Sequence, residues 1–548
     1  MKDNVTTTIT GSEALAQGAI EAGVQFVTGY PGSPATAAVD ALLRLAGDDV
    51  RIEWAINEKS AFDAALGATL AGTRSLLCLK SVGLNVALDS LMVSNLAPGD
   101  AGFVILIGDD PGGWGSQNEE DSRPIIAAAE IPLLEPTVAA DARNLIGFAF
   151  DLSERYRLPV ALRITRALAL EEVELGPAPR IGREPWPARF ERQGDRFNVL
   201  PVHVVDYHQR LQAKLKSMQF EFECPGRNEP EGEGQAAVIA AGSAYQKLAG
   251  VLAQSNQPPV RVLGLNTLHP LPDLKIAAFL KKADAALVLE ETAPYLETGV
   301  QAIAQRAGLT LPIYGRRSGH IPGPGELFAH EIAQALPALL PDWPWPSFEP
   351  AGRSRPSRQS LCDDCPYVPA VESLLAVMER HGGRDAFVVA GETGCMVRTQ
   401  LPPWRLLDLK YGMGSSIGLA AGLVRAGIPQ QVVALSGDSA LLHSGLGELI
   451  DTVQAGLNLL VIVLANGTTA LSGGQPHPGT GNDAQGRTRQ PVDLIALIRA
   501  TGVASVRVVD PEQIQATQTA MEEGLAGDGV AVVIAERACP LWAGEVRA

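Results

Sequence analysis

The chain alternates between amphipathic stretches with helical spacing and short runs of apolar, often β-branched residues. Residues 11–22 have the first pattern, and the run at 24–28 has the second and ends in a glycine-rich turn. Further runs of the second kind predict strands at 51–54, 75–79, 103–107 and 159–164. Helices that alternate with strands in this way are typical of βαβ units, so we predict an α/β fold with mostly parallel sheets.

Two stretches interrupt this alternation. Residues 171–234 mix proline with charged residues around one predicted helix at 205–218, and we interpret them as a connecting segment. Residues 341–359 are so rich in proline that neither a helix nor a central strand is expected, which indicates a linker. Three α/β domains in series are therefore predicted, at residues 1–170, 235–340 and 360–548.

Short apolar runs also predict the strands of the later domains. In the second domain they lie at 236–240, 260–265 and 285–289, and in the third at 386–390, 431–435, 459–464 and 530–535. Ligands on such sheets bind beyond the carboxyl ends of the strands. In the first domain these ends carry the segments 30–34, 80–83 and 108–110.

Composition excludes several classes of protein. The 548 residues are 46% hydrophobic and 19% charged, which is ordinary for a globular protein, and the net charge of −17 would repel nucleic acid and anionic membranes. The longest clean apolar run, 459–465, is too short for a transmembrane helix, and residues 1–10 lack the features of a signal peptide. Six cysteines are too few for a disulfide framework. We expect a cytoplasmic protein that binds neither nucleic acid nor membrane.

The sharpest motif lies in the third domain. A predicted strand ends in Gly437-Asp438-Ser439, and the next ends at Asn466, 29 positions after Gly437. This spacing fits one βαβ crossover, which places Asp438 and Asn466 side by side at one sheet edge. A carboxylate, an amide oxygen and a nearby carbonyl such as that of Thr468 suit Mg²⁺, and a helix starting near Ser439 offers N–H groups to a diphosphate. The alternative is an ordinary strand-end aspartate and a turn asparagine.

This motif is that of thiamine diphosphate enzymes, and the surrounding sequence resembles the alpha subunit of indolepyruvate ferredoxin oxidoreductase. The third domain carries this resemblance in MGSSIG at 413–418, GDS at 437–439, HSG at 443–445, NGTTALSG at 466–473 and QPHPGTG at 475–481. The first domain carries it in TGYPGSP at 28–34, NEK at 57–59, VGLN at 82–85, GDDP at 108–111 and SQNE at 116–119. The resemblance covers essentially the whole chain. It implies a pyrimidine-binding domain, a transketolase C-terminal-like domain and a diphosphate-binding domain, in that order.

The resemblance also implies roles for individual residues. Glu58 matches the carboxyl that activates the aminopyrimidine of the cofactor, although a glutamate in a first helical turn also complements the helix dipole. Either Met413 or Leu471 would hold the cofactor bent, although most such residues are simply core. The residues implied to contact the cofactor are Tyr30, Pro31, Gly83, Asn85, Met413, Gly437, Ser439 and Leu471.

Three further residues are candidates for the reaction itself. Ser33 stands where the family usually has threonine, and its hydroxyl would bind the carboxylate of the substrate. Arg123 would supply a charged contact to the same carboxylate, with a plain surface arginine as the alternative. His443 is a candidate for proton transfer, with helix packing or a diphosphate contact as alternatives.

Four cysteines fall in the last third of the chain. Cys362 and Cys365 form a CxxC pair, Cys395 follows, and Cys539 closes the last predicted strand. The resemblance implies that they hold a [4Fe–4S] cluster near the thiamine diphosphate. Free buried thiols and a zinc site remain alternatives.

The implied activity is the oxidative decarboxylation of an aryl or branched 2-oxo acid to an acyl-coenzyme A. The resemblance also implies a small beta subunit in an assembly of two alpha and two beta chains. The dense CxxCxxCxxxCP runs that end the family's alpha subunit are missing from the sequence, so electrons are expected to leave through ferredoxin or a partner subunit. The alternatives are a non-oxidative decarboxylase or carboligase, and a non-catalytic scaffold that binds thiamine diphosphate.

Overall fold

The computed structural model describes residues 6–176, 189–194, 196–351 and 360–542. They form two compact units, a first of residues 6–52 and 58–351 and a second of residues 53–57 and 360–542. The predictions for 177–188 in the connecting segment and for 352–359 in the linker lie outside the described residues. The finer division into three domains stays a prediction.

The first unit contains a seven-stranded and a five-stranded sheet. The larger has the order β12-β6-β7-β5-β4-β2-β3, the smaller has the order β14-β13-β10-β11-β9, and β1 and β8 form an antiparallel pair of their own. The strands are β1 (Thr7–Thr10), β2 (Phe26–Gly29), β3 (Arg51–Trp54), β4 (Ser75–Lys80), β5 (Phe103–Asp109), β6 (Leu133–Leu134), β7 (Val160–Thr165), β8 (Glu172–Leu175), β9 (Pro230–Glu231), β10 (Ala236–Ala241), β11 (Val260–Leu265), β12 (Thr267–His269), β13 (Ala285–Leu289) and β14 (Ile313–Tyr314).

Helices connect these strands, as expected for parallel pairing. They are α1 (Gly11–Glu21), α2 (Ala35–Leu45), α3 (Glu58–Leu70), α4 (Ser81–Val86), α5 (Leu88–Ser94), α6 (Arg123–Ala128), α7 (Ala139–Tyr156), α8 (Arg166–Leu170), α9 (Pro201–Phe222), α10 (Ser243–Ala253), α11 (Asp273–Leu280), α12 (Tyr295–Arg306) and α13 (Ala329–Ala335).

The second unit is built on one six-stranded parallel sheet of order β16-β15-β17-β18-β20-β19. Apolar clusters cover both of its faces, which explains why its central strands are almost continuously hydrophobic. The strands are β15 (Phe387–Gly391), β16 (Leu409–Lys410), β17 (Gln431–Gly437), β18 (Leu459–Ala465), β19 (Ser505–Val509) and β20 (Val530–Glu536). The helices are α14 (Tyr367–Arg380), α15 (Ser416–Arg425), α16 (Asp438–Ala440), α17 (Leu446–Gln454), α18 (Leu494–Ala500) and α19 (Ile514–Ala526).

The predicted α/β class with mostly parallel sheets is confirmed, and every strand predicted from an apolar run is present with its ends shifted by at most two residues. The helix predicted at 205–218 is longer and runs over Pro201–Phe222. The short antiparallel elements β1, β8, β9 and β12 were not predicted. Strands of two to four residues at sheet edges carry too little alternation to stand out in a sequence.

In the described part of the chain, no helix is both long enough and apolar enough to cross a membrane.

Candidate functional site

In the second unit, the ends of two adjacent strands bring the predicted metal ligands to one sheet edge. β17 pairs with β18 in parallel, so that Asp438 directly follows the one strand and Asn466 the other, as predicted. Asp438 is buried, and its two oxygens accept hydrogen bonds from the backbone N–H groups of Ser439 at 2.8 Å and Gly467 at 2.7 Å. These bonds fix the carboxylate at the edge where such sheets bind ligands.

The loop after β18 completes this edge. The side-chain oxygen of Asn466 accepts a hydrogen bond from the N–H of Thr468 at 3.1 Å, and the Thr468 carbonyl accepts one from Ala470 at 3.0 Å. His477 lies nearby, with its Nε2 atom 3.3 Å from an oxygen of Asp438. Among the described residues this buried nitrogen has no well-aligned hydrogen-bond partner. Oxygen ligands beside a buried nitrogen that makes no well-aligned hydrogen bond suit Mg²⁺ and a diphosphate.

The other residues predicted in this unit have different degrees of exposure. His443 is buried in a short π-helical turn, and its Nδ1 lies 2.5 Å from the Ser444 hydroxyl. Ser439 and Met413 are half-buried, whereas Leu471 is exposed, and Gly437 is the last residue of β17. Their roles stay predictions.

Glu392, which was not predicted from the sequence, contacts the end of β17 through Ser436 and Gly437. It follows β15, is completely buried, and accepts a hydrogen bond from the Ser436 hydroxyl at 2.5 Å and one from the Gly437 N–H at 3.3 Å. Its other oxygen lies 3.4 Å from the Ser416 N–H. Burial raises the pKa of Glu392 from 4.5 to about 7, although these hydrogen bonds oppose the shift. A carboxyl two residues after the strand predicted at 386–390 was the signal that could have identified it.

This raised pKa predicts that Glu392 makes stability depend on pH. Between pH 4.5 and about 7 the unfolded chain loses the proton that the folded chain keeps, so the free energy of unfolding falls as pH rises. The full penalty, roughly 3 kcal/mol, is reached above that window. Because glutamine does not titrate, Glu392→Gln should gain stability relative to the wild type from pH 4.5 to 7. Thermal melts of both proteins across this range test the prediction, and a pH-independent difference would contradict it.

The structure brings the four predicted cysteines together around one cavity. Cys362, Cys365, Cys395 and Cys539 all line a space of about 260 Å³ in the second unit. Cys362 and Cys365 are joined by a turn, Cys395 begins a 3₁₀ helix, and the N–H of Cys539 donates to the carbonyl of Asn466 at 3.1 Å. Asn466 also lines the cavity, so the cysteines and the loop after β18 share one site.

Of the cysteines in this cavity, Cys362, Cys365 and Cys395 are half-buried and Cys539 is buried. Burial raises the pKa of Cys395 to about 12 and also raises that of Cys365, and the neighbouring cysteines add to both shifts. In the described residues, no three His, Cys, Asp or Glu side chains converge as ligands of one metal ion. A [4Fe–4S] cluster is larger than one ion and is bound by thiolates spread around it. Four thiols on the walls of one cavity fit that group.

In the first unit, Glu58 packs against Gly83, another residue that the resemblance implies to contact the cofactor. It is the first residue of α3, and its side chain is buried against Gly83 on α4. A Cβ atom on Gly83 would lie only 2.5 Å from the Glu58 Oε1 atom. We therefore expect Gly83→Ala to displace the carboxylate and to lower turnover. Gly67 lies on α3, the helix of Glu58, and has open space around it, so Gly67→Ala should leave turnover unchanged. The two alanine variants can be compared in one assay.

The remaining cofactor and substrate candidates of this unit lie after β2 and β4. Tyr30 is buried, Pro31 is half-buried and Ser33 is exposed. Asn85 is also exposed, and its side chain donates a hydrogen bond to Glu120 at 2.9 Å. Their roles stay predictions.

Arg123 lies in a buried network and not on the surface. Its guanidinium is fully buried, and its three nitrogens donate to Asp121, to Glu290 at 2.8 Å, and to the carbonyls of Glu291 and Ala293. The nearby carboxylates raise the pKa of Arg123 despite its burial. This arrangement favours a structural role over contact with a substrate. This network could not be predicted from the sequence, because Glu290 lies far along the chain from Arg123.

Two family models match the chain. Residues 17–193 match the thiamine diphosphate-binding model of the pyruvate flavodoxin/ferredoxin oxidoreductases, and residues 392–535 match the C-terminal TPP-binding domain of thiamine pyrophosphate enzymes. Both matches contain residues assigned above, namely Glu58 in the first and Asp438 and Asn466 in the second.

The chain is also similar to named proteins. The indolepyruvate oxidoreductase subunit IorA of Archaeoglobus fulgidus is 33% identical over 551 residues, which cover 97% of this chain and 86% of the relative. The protein of the same name from Methanothermobacter thermautotrophicus is 34% identical over 549 residues, covering 98% and 87%. A solved structure, the 2-oxoglutarate:ferredoxin oxidoreductase from Magnetococcus marinus, matches 61% of this chain and 65% of its own at 17% identity, with a TM-score of 0.49.

Proposed function

The chain belongs to the family of indolepyruvate oxidoreductase subunit IorA, and we propose that it oxidatively decarboxylates an aromatic or branched 2-oxo acid such as indolepyruvate. The family makes it a thiamine diphosphate-dependent 2-oxoacid ferredoxin oxidoreductase. In the proposed reaction the 2-oxo acid and coenzyme A give an acyl-coenzyme A, CO₂ and a proton. Two electrons pass to ferredoxin or to a partner subunit.

The four-cysteine cavity carries this proposal. A non-oxidative decarboxylase needs no electron carrier, whereas Cys362, Cys365, Cys395 and Cys539 surround a space that also borders Asn466. When bound, thiamine diphosphate supplies the carbon nucleophile and the electron sink, and the cluster supplies a one-electron relay. The shared lining of the cavity supports electron transfer between them.

The proposal assigns each remaining residue a physical task. The carboxylate of Asp438, the amide oxygen of Asn466 and the carbonyl of Thr468 hold Mg²⁺, since all three offer hard oxygen atoms. In the first unit, Glu58 hydrogen-bonds the ring nitrogen of the cofactor. Ser33 hydrogen-bonds the substrate carboxylate through its exposed hydroxyl.

The word "subunit" in the names of the relatives supports a partner chain. We propose a small beta subunit in an assembly of two alpha and two beta chains, located in the cytoplasm. Co-expression of the two chains followed by light scattering would measure the stoichiometry.

The reaction is tested with the full chain, its partner subunit, thiamine diphosphate, Mg²⁺, coenzyme A and indolepyruvate under anaerobic conditions. The proposal predicts acyl-coenzyme A and a reduced ferredoxin or viologen dye in proportion to the CO₂ released. Aldehyde formed without an acceptor would support the non-oxidative alternative. The absence of turnover with every aromatic and branched 2-oxo acid would support the scaffold.

The metal assignment predicts that Asp438→Ala loses most of its affinity for Mg²⁺ and thiamine diphosphate. The variant removes the carboxylate that the backbone N–H groups of Ser439 and Gly467 hold in place. Calorimetric titration of cofactor and metal measures the change, with the exposed Asp528→Ala as a matched control. Normal binding by Asp438→Ala would show that the assignment is wrong.

A further inference from the structure

A cationic group strengthens the binding of a carboxylate such as that of a 2-oxo acid, and Arg123 is already engaged inside the protein. We propose that Lys80 supplies this group and binds the substrate carboxylate beside the Ser33 hydroxyl. This inference rests on the proposed function, because it takes the substrate to be a 2-oxo acid. Neither the family models nor the resemblance assigned a role to Lys80.

The position of Lys80 places it among the candidate substrate residues. It is the last residue of β4, at the carboxyl edge where parallel sheets bind ligands, and β2 is the neighbouring strand. Its side chain lies directly against Gly32, where a Cβ atom would be only 2.8 Å from the Lys80 Cβ. Ser33 directly follows Gly32. The Lys80 side chain and the exposed Ser33 hydroxyl therefore belong to the same edge of the sheet.

The same edge continues to the residue assigned to the cofactor. The chain passes from Lys80 directly into α4, which carries Gly83, and Gly83 contacts the Glu58 carboxylate. Only three positions separate the lysine from the glycine. Lys80 and the glycine that packs against Glu58 therefore belong to one short segment of the chain.

The loop after β5 orients the ammonium group. Lys80 Nζ donates a hydrogen bond to the carbonyl of Gly115 at 3.2 Å. Asp110 fixes this loop, because one of its oxygens accepts from the Gly115 N–H at 2.8 Å and from the Ser116 hydroxyl at 2.6 Å. These bonds hold the loop in the position from which the Gly115 carbonyl accepts the hydrogen bond of the Lys80 ammonium.

The electrostatic environment of Lys80 favours an incoming anion. Burial lowers the pKa of the Lys80 ammonium, and the charge of Asp110 opposes this shift only in part. By contrast, the Lys59 ammonium pairs with the Asp63 carboxylate at 2.9 Å, and Lys247 pairs with Glu291 at 2.6 Å. The Lys80 ammonium is partly desolvated and donates only to a neutral carbonyl. It therefore gains more binding energy from an added carboxylate than a lysine that already pairs with one.

Two substitutions separate the charge of Lys80 from its packing. Lys80→Met keeps the unbranched stem against Gly32 and removes the charge, while Lys80→Arg keeps the charge. The exposed Lys282→Met is the control. For each full-length protein loaded with thiamine diphosphate and Mg²⁺, binding of indolepyruvate is measured by isothermal titration calorimetry, and turnover is measured with the partner subunit present.

We expect Lys80→Met to weaken binding and raise the KM for indolepyruvate by about 10- to 100-fold, the effect of losing one charge-assisted hydrogen bond. The kcat and the KM for coenzyme A should change much less, and Lys80→Arg should recover most of the affinity. If Lys80→Met bound indolepyruvate as the wild type does, or changed only the KM for coenzyme A, the role of Lys80 would be overturned. Turnover by the wild type would still support the proposed function in that case. Wild-type protein that binds no 2-oxo acid would overturn both.

Discussion

Replacement of Glu58 by glutamine is expected to lower turnover by roughly 10²- to 10⁴-fold while leaving thiamine diphosphate affinity nearly unchanged. The range is that of a lost proton-transfer group. Glutamine keeps the size of the side chain and its place against Gly83, but it cannot exchange a proton with the cofactor ring. Steady-state kinetics and cofactor titration on the same preparations measure both quantities.

The control for this prediction is Glu13→Gln. Glu13 also lies in a first helical turn, where its side chain accepts a hydrogen bond from the Thr10 N–H at 2.9 Å in a capping box. If Glu58 acted only by complementing the helix dipole, both variants would lose a little stability and neither would lose turnover. A Glu58→Gln protein with wild-type turnover would therefore refute the assigned role.

Replacement of Cys365 by alanine is expected to remove the iron of the protein and to abolish reduction of the electron acceptor. A cluster that loses one of four thiolates loses a direct ligand. The loss of activity should therefore exceed the roughly 10- to 100-fold that is typical when a residue hydrogen-bonded to a metal ligand is replaced. Iron content and the rate of acceptor reduction are measured on protein purified without oxygen. Binding of thiamine diphosphate should persist, since Asp438 and Asn466 are intact.

Cys224→Ala is the matched control for this variant. Cys224 is an exposed free cysteine of the first unit whose thiol contacts the carbonyl of Phe220. Its loss should change neither iron content nor acceptor reduction. Equal iron in the wild type and in Cys365→Ala would show that the thiols of the cavity are not ligands.

The sequence predicted most of the longer strands of both units because parallel strands buried on two faces are continuous apolar runs. It also placed Asp438 and Asn466 on neighbouring strands, since the spacing of one βαβ crossover leaves little choice of topology. It could not predict that Arg123 is buried, because its partner Glu290 lies on a distant strand end. Long-range ion pairs leave no local pattern.

The four cysteines show a second limit. Their spacing allowed a cluster, free thiols or zinc, and only the folded chain shows that all four line one cavity. Glu392 and Lys80 were overlooked for a different reason. Each lies just after a predicted strand, but what distinguishes it is its burial and its hydrogen-bond partners. These depend on packing and not on sequence position.

The central claim is that the cavity of Cys362, Cys365, Cys395 and Cys539 holds an iron–sulfur cluster that serves a thiamine diphosphate oxidoreductase. The most direct measurement is the iron and acid-labile sulfide content of the full-length protein, purified without oxygen, together with its visible spectrum. About four irons and an equal amount of sulfide per chain, with a broad visible absorption, are predicted. Protein that binds thiamine diphosphate but contains neither iron nor sulfide would contradict the claim and favour the non-oxidative decarboxylase.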